Sequence, residues 1–168
     1  LLNAGNLAFS GQIYWARNSS KSILDAAAFQ VLVGRIAASL ERMGVRCGDR
    51  VVGFLGRRPE AFAAAVATWR IGAIYVPLFT SLGTEAIRIR IDDSGAEAAI
   101  TDNANRLALG SAQDRSDLRV LVVDGSNDGA GDTHLREDIS STSAPTSAEA
   151  PATIIYTSGT TSRPKGCV

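Results

Sequence analysis

Apolar and polar residues along the chain form blocks that predict helices and short buried strands in turn. Residues 26–43 place apolar side chains at helical spacing, which predicts a helix that Asp25 caps and Gly44 ends. A second helix is predicted over residues 59–71, because Pro59 suits the first helical position. An apolar run typical of a buried strand follows each of these helices.

The apolar runs alternate with helices through the middle of the chain. Strands are predicted at residues 50–55, 73–78, 96–101 and 118–123. A short helix is predicted at 103–109, between the last two strands. This alternation over residues 25–124, with short connections, predicts a doubly wound α/β fold whose sheet is mainly parallel and carries helices on both faces.

Residues 84–93 carry two competing signals. Between residues 87 and 91 isoleucine alternates with arginine, which is the pattern of a strand. Thr84 as an N-cap and Glu85 in the first turn favour a helix instead. A helix would also supply the crossover that parallel strands require, so we predict a helix that runs to about Asp93.

The segments that flank the α/β region are less regular. Residues 1–24 form a poorly defined lead-in, where residues 13–15 suggest a short strand or an apolar contact with the core. Residues 125–152 are dominated by small and polar residues, which predicts a long flexible surface loop. The only histidine, His134, lies in this loop, and we interpret it as a solvated residue because no base-orienting partner is close in sequence.

Composition and charge exclude several classes of function. Hydrophobic residues make up 45% of the 168 residues, which is ordinary for a globular domain with a buried core. The 17 basic and 17 acidic residues cancel, so no net field favours nucleic acid or an anionic membrane surface. No apolar run reaches membrane-spanning length. Cys47 and Cys167 lack the spacing of a metal site, which favours a reducing cytoplasm.

The candidate chemistry lies in residues 153–168, where a short apolar strand leads into a loop of hydroxyl-bearing residues and glycines. Backbone N–H groups of such a loop can form a concave anion site, and Gly159 and Gly166 permit the backbone angles that this needs. Lys165 adds a compact charge suited to phosphate. The hydroxyl donors are Thr157, Ser158, Thr160, Thr161 and Ser162.

This loop differs from the common P-loop, because Lys165 precedes glycine rather than serine or threonine. It resembles the phosphate loop of the acyl-adenylate-forming (AMP-binding) superfamily, whose usual form is Thr-Ser-Gly-Thr-Thr-Gly-x-Pro-Lys-Gly. Ser162 replaces the third glycine, and its Cβ would strain the loop if a positive φ is needed there. Clusters of this composition are often plain turns, but the match covers many adjacent positions and follows a strand.

Other stretches carry the same resemblance in the same order along the chain. They are most similar to the short- and medium-chain, acetyl-CoA-synthetase-like branch of the acyl-CoA synthetases. Packing in the core and turns explains their composition, so they indicate the fold rather than a site. The stretches are residues 48–51, 69–79, 93–96 and 101–102.

Four arginines outside the loop allow two interpretations. They could form a phosphate-binding patch, but solvated helix faces explain them equally well. The residues are Arg57, Arg58, Arg88 and Arg90.

The resemblance implies a chemistry for the loop. The parent enzyme would activate a carboxylic acid with ATP to an acyl-adenylate and pass the acyl group to coenzyme A. Residues 157–166 would grip the β- and γ-phosphates, with Lys165 as a charge on the departing pyrophosphate and Thr157 as a ligand of Mg²⁺. In the family the adenine, ribose and acyl pockets and the catalytic lysine lie further downstream, so we place no catalytic residue in this chain.

The resemblance also implies that these residues are an amino-terminal fragment. The chain begins without Met and stops at Val168, two residues after the loop. We therefore expect that it needs the remainder of its own chain and is inactive alone. Three alternatives stay open, namely a peptide-synthetase adenylation domain, a truncated non-catalytic nucleotide-binding module, and a structural domain in which Ser162 marks a degenerate loop.

Overall fold

Helices and strands alternate through most of the chain. The computed structural model describes residues 12–15, 21–112, 117–124, 132–135, 144, 147–157 and 164–168. The helices are α1 (Ala26–Arg42), α2 (Pro59–Arg70), α3 (Thr84–Ser94) and α4 (Asn103–Ala112). The strands are β1 (Gln12–Trp15), β2 (Lys21–Leu24), β3 (Arg50–Phe54), β4 (Ile74–Pro77), β5 (Ala98–Thr101), β6 (Arg119–Val122), β7 (Thr133–His134), β8 (Ile155–Thr157) and β9 (Lys165–Cys167).

The central sheet has the strand order β4-β3-β5-β6-β7, and every pairing in it is parallel. Helices α1 and α2 cover one face, whereas α3 and α4 cover the other. Successive residues of a strand point to opposite faces, and Val51 and Val52 accordingly belong to the two different cores. The predicted doubly wound α/β fold is confirmed.

The helix ends follow the predicted capping chemistry. The Asp25 carboxylate accepts a hydrogen bond of 2.7 Å from the backbone N–H of Ala28 and caps α1. Gly44 follows α1 with a φ of 85°, a left-handed conformation that a glycine adopts without a steric penalty. Helix α2 begins at Pro59 as predicted.

Residues 84–94 form helix α3, so the helical signal in this segment wins over the strand signal. Ile87 and Ile91 lie one turn apart and are fully buried in the same core, which a helix achieves and an alternating strand does not. The expectation that Thr84 is the N-cap is wrong. Gly83 occupies that position with an extended backbone, because the helix begins one residue earlier than expected.

The structure corrects the interpretation of His134. This residue lies in the short edge strand β7, where it pairs with Val122 of β6. The residue is half-buried, and both of its ring nitrogens are buried, so it is not a solvated loop residue. A strand of two residues is too short to produce an alternating pattern, so β7 cannot be predicted from the sequence.

The lead-in forms an antiparallel hairpin of β1 and β2. Of the two interpretations of residues 13–15, the strand is the one found, whereas residues 1–11 and 16–20 of the lead-in lie outside the described part of the chain.

Residues 152–154 attach to the edge of the sheet at β4. The Tyr75 N–H donates to the Ala152 carbonyl, and the Ile154 N–H donates to the Tyr75 carbonyl, both at 2.9 Å. The Trp69 indole N–H also donates to the Ala152 carbonyl, at 2.8 Å. These bonds fix the point from which the chain enters β8.

Tyr75 also lies across Gly53 of the neighbouring strand. A Cβ atom on Gly53 would lie 1.9 Å from the Tyr75 hydroxyl oxygen and 2.4 Å from Cζ. The glycine is therefore needed for close approach of the ring. Burial raises the pKa of Tyr75 to about 12, so the hydroxyl stays protonated at neutral pH.

We predict that Gly53→Ala lowers the free energy of unfolding by at least about 2 kcal/mol, because the Tyr75 ring must move out of a packed position. Urea denaturation measures this change. Gly83→Ala is the matched control, because nothing lies within 4 Å of its Cβ position, and we expect it to cost about 1 kcal/mol or less. An equal loss of stability in the two variants would contradict this account of Gly53.

Candidate phosphate-binding site

The predicted phosphate loop lies between two strands that form a hairpin. Strand β8 pairs antiparallel with β9, and Thr157 lies opposite Lys165 in the last pair before the loop. The sequence predicted β8 but not β9, whose three residues include a lysine and a glycine that favour other structures. The hairpin thus brings together two predicted site residues that are eight positions apart in the sequence.

The described residues include part of the predicted site. Thr157, Lys165 and Gly166 are described, and all three are exposed. Ser158, Gly159, Thr160, Thr161 and Ser162 lie outside the described residues, and so does the question of strain at Ser162.

The pairing puts complementary chemistry at the mouth of the loop. Side chains directly opposite each other in an antiparallel pair share one face, so those of Thr157 and Lys165 project to the same side. The first offers a hydroxyl group and the second an ammonium group, and both are exposed. A hydroxyl beside a compact cation is suited to an anion such as phosphate.

The backbone freedom predicted for Gly166 is not used in the structure. This residue belongs to β9 and is not among the glycines with positive φ, so its freedom of backbone angle is not what the structure uses. A Cβ atom there would lie 2.9 Å from Ile154 Cγ2 and 3.3 Å from Tyr156 Cζ. These two side chains cross the backbone of β9, so a larger residue at position 166 would force at least one of them to move.

Tyr156 connects the hairpin to helix α3. Its hydroxyl donates a hydrogen bond of 2.6 Å to the Asp93 carboxylate, and the guanidinium carbon of Arg90 lies 5.6 Å from the centre of its ring. Burial, and then the Asp93 carboxylate, raise the pKa of the Tyr156 hydroxyl above its usual range. Sequence reasoning missed these contacts, because they join residues 63 positions apart and leave no local pattern.

Arg58 lies beside the carboxyl ends of β3 and β5, where connections leave the sheet in opposite directions. Its guanidinium hydrogen-bonds the Glu60 carboxylate at 2.8 Å and also the Asp124 carboxylate. The hydrogen bond to Glu60 raises the pKa of Arg58 above its usual range. Arg58 is thus a half-buried residue in ion pairs. It belongs neither to a phosphate-binding patch nor to a solvated helix face, the two interpretations that its sequence context allowed.

The other arginines do not join Arg58 in one patch. Arg88 pairs with Glu85 at 2.5 Å and with Asp92 at 3.5 Å on the surface of α3, as expected of a solvated helix face. Arg90 contacts the Tyr156 ring, and Arg57 is exposed in the connection after β3.

Two kinds of feature are absent from the described part of the chain. None of the described helices is long and apolar enough to cross a membrane. Nor do the described residues contain a group of three or more His, Cys, Asp or Glu side chains placed to hold a metal ion.

Comparisons with known proteins identify the family of the chain. Residues 20–168 match the family described as AMP-binding enzyme. The chain is 37% identical over 159 residues to acetyl-coenzyme A synthetase of Rhodobacter capsulatus, which covers 81% of the chain and 24% of that protein. It is also 37% identical over 141 residues to the long-chain-fatty-acid–CoA ligase FadD15 of Mycobacterium bovis, covering 78% of the chain and 24% of the ligase.

A solved structure gives the same result at the level of the fold. The crystal structure of an acyl-CoA synthetase from Brucella canis superposes with a TM-score of 0.78 and 27% sequence identity, covering 95% of this chain and 31% of that one. The chain spans about a quarter of the length of the curated relatives it matches. The sheet, the hairpin and these matches together show that the chain belongs to the AMP-binding enzyme family.

Proposed function

We propose that the protein carrying this chain is an AMP-forming ligase that joins a carboxylic acid to coenzyme A. The observation that carries the proposal is the hairpin, which sets Thr157 opposite Lys165 at the mouth of a loop rich in hydroxyls and glycines. Family membership supports it, and so do relatives named as acetyl-coenzyme A synthetase and long-chain-fatty-acid–CoA ligase.

The proposed reaction has two steps. A carboxylate oxygen of the acid attacks the α-phosphorus of ATP, the bond from that phosphorus to the bridging oxygen breaks, and pyrophosphate leaves. The thiol of coenzyme A then loses its proton and attacks the acyl carbon, which releases AMP and forms the thioester. Negative charge builds up on the departing pyrophosphate in the first step, so a fixed cation near the β- and γ-phosphates lowers the barrier.

We assign that cation to Lys165. Its ammonium group lies on the exposed strand β9 beside the loop, where the last backbone pair with Thr157 fixes the position of its Cα atom. The small residues of the loop, Ser158, Gly159, Thr160, Thr161 and Ser162, would add backbone N–H and hydroxyl donors around the phosphates.

One described residue, Thr157, has a side chain that could bind Mg²⁺. Thr157 offers a neutral hydroxyl oxygen, and Mg²⁺ in nucleotide sites commonly takes its other ligands from water and substrate phosphates. We therefore assign Thr157 as a protein ligand of the ion, which neutralises phosphate charge when it is bound.

The choice of acid is proposed from the relatives. Several of them are named as acetyl-coenzyme A synthetases, so we propose a short-chain acid, although the long-chain relative matches at equal identity.

The free and exposed thiols of Cys47 and Cys167 suit a reducing compartment, and we place the protein in the cytoplasm. Exchange that depends on amino acids, without coenzyme A ligation, would favour a peptide-synthetase domain instead.

We predict that Lys165→Ala in the full-length protein lowers kcat/KM for ATP by about 100-fold, as is usual when a group that stabilises transition-state charge is removed. Acid-dependent exchange between ATP and pyrophosphate measures this. Lys165→Arg keeps the charge and should lose less. Arg46→Ala removes an exposed charge at the amino-terminal end of β3 and serves as the control. Equal activity of Lys165→Ala and Arg46→Ala would contradict the assignment.

We predict that the 168-residue chain produced alone does not catalyse acid-dependent exchange, because it spans about a quarter of the length of the curated relatives it matches. Circular dichroism would first establish that the isolated chain is folded, and the full-length protein under the same conditions is the positive control. Exchange above background by the isolated chain would show that these residues are sufficient for adenylation.

A further inference from the structure

A side chain at the base of the loop attaches the hairpin to helix α3. Tyr156 immediately precedes Thr157, the first residue of the proposed phosphate site. Its hydroxyl donates to Asp93 at 2.6 Å and its ring lies beneath the guanidinium of Arg90. Arg90 and Asp93 are three residues apart, so they lie on the same side of α3.

The same ring also contacts the second strand of the hairpin. Tyr156 lies directly opposite Gly166, where a Cβ atom would come within 3.3 Å of the ring carbon Cζ and 3.4 Å of Cε1. The ring therefore crosses the backbone of β9 one residue after Lys165. Neighbouring residues of a strand point to opposite faces, so the ring faces α3 while Thr157 and Lys165 project to the other side.

Helix α3, which Tyr156 contacts, is held in place by its packing in the core. Ile87 and Ile91 are fully buried beneath the sheet, and Ile154 and Tyr156 pack against the same core. A shift of α3 would therefore disturb a packed core, whereas the exposed part of the hairpin beyond Ile154 is held to that helix by the Tyr156 contacts. The position of the Thr157–Lys165 pair thus depends on the tyrosine.

We infer that Tyr156 is a positioning residue for nucleotide binding, which acts through its hydrogen bond to Asp93 and its contact with Gly166 to hold Thr157 and Lys165 at one separation. The inference rests on the proposed function, since it takes the ligand of that pair to be the polyphosphate of ATP. Tyr156 itself faces away from the ligand and supplies no charge to it.

The test is equilibrium binding of MgATP to the full-length protein by calorimetry, with variants on both sides of the contact. Tyr156→Phe keeps the ring and removes the hydroxyl, and Asp93→Ala removes the acceptor. Each should weaken MgATP binding by about tenfold, the loss expected for one hydrogen bond to a charged group. The double variant should be no weaker than either single variant, because both remove the same interaction.

Two controls separate positioning from general damage. Asp93→Asn retains an oxygen that can accept the tyrosine hydroxyl, so it should bind MgATP better than Asp93→Ala. Asp92→Asn removes the neighbouring exposed carboxylate, whose contact is with Arg88 at 3.5 Å, and should leave binding within about twofold of the wild type. The KM for ATP should rise in Tyr156→Phe and kcat should fall with it, whereas partial unfolding would lower kcat and leave the KM of both substrates unchanged.

The outcomes distinguish the inference from the proposed function. Unchanged MgATP affinity in Tyr156→Phe, or additive losses in the double variant, would overturn the positioning role alone. A wild-type protein that binds MgATP tightly but shows no acid-dependent exchange would overturn the proposed reaction. The MgATP affinities of the variants would then still test whether Tyr156 is a positioning residue. A wild-type protein that does not bind MgATP would overturn both.

Discussion

The backbone bonds between Tyr75 and residues 152–154 are the constraint on which the site depends. They join the segment that leads into the hairpin to β4, the edge strand of the central sheet. The residue that makes these bonds, Tyr75, is itself held in place because its ring packs against Gly53. An edge strand offers unpaired N–H and C=O groups, so a short segment can attach there without rearranging the core. The chain then reaches β8 from a defined starting point, a few residues before the loop.

A second attachment gives the hairpin its orientation. One attachment at β4 leaves an exposed two-stranded hairpin free to turn, because isolated hairpins of this size have little stability of their own. The contact of Tyr156 with α3 is made further along the same segment. Together the two attachments hold the Thr157–Lys165 pair on a rigid layer, which a site for developing charge requires.

Much of the fold could be predicted from the sequence, because its signals are local. Asp25, Gly44 and Pro59 mark helix ends by their own chemistry, and the buried strands are continuous apolar runs. Strand β7 could not be predicted, because two residues carry no periodicity. Strand β9 could not either, since Lys165 and Gly166 form a strand only through their pairing with β8.

The candidate site was predicted in composition but not in geometry. The loop motif identified Thr157 and Lys165 and the residues between them, whereas their placement opposite each other depends on β9. The contacts of Tyr156 with Arg90 and Asp93 join distant parts of the chain, so no local sequence pattern indicates the role of these three residues. Gly166 was identified for its backbone freedom, although the structure uses its small size.

The most direct test of this account is a crystal structure of the full-length protein with a non-hydrolysable ATP analogue. The account predicts that Lys165 Nζ lies about 3 Å from oxygens of the β- or γ-phosphate, with the hydroxyl of Thr157 on the same side of the hairpin. Phosphates bound instead at the carboxyl ends of β3 and β5, beside Arg58, would contradict it.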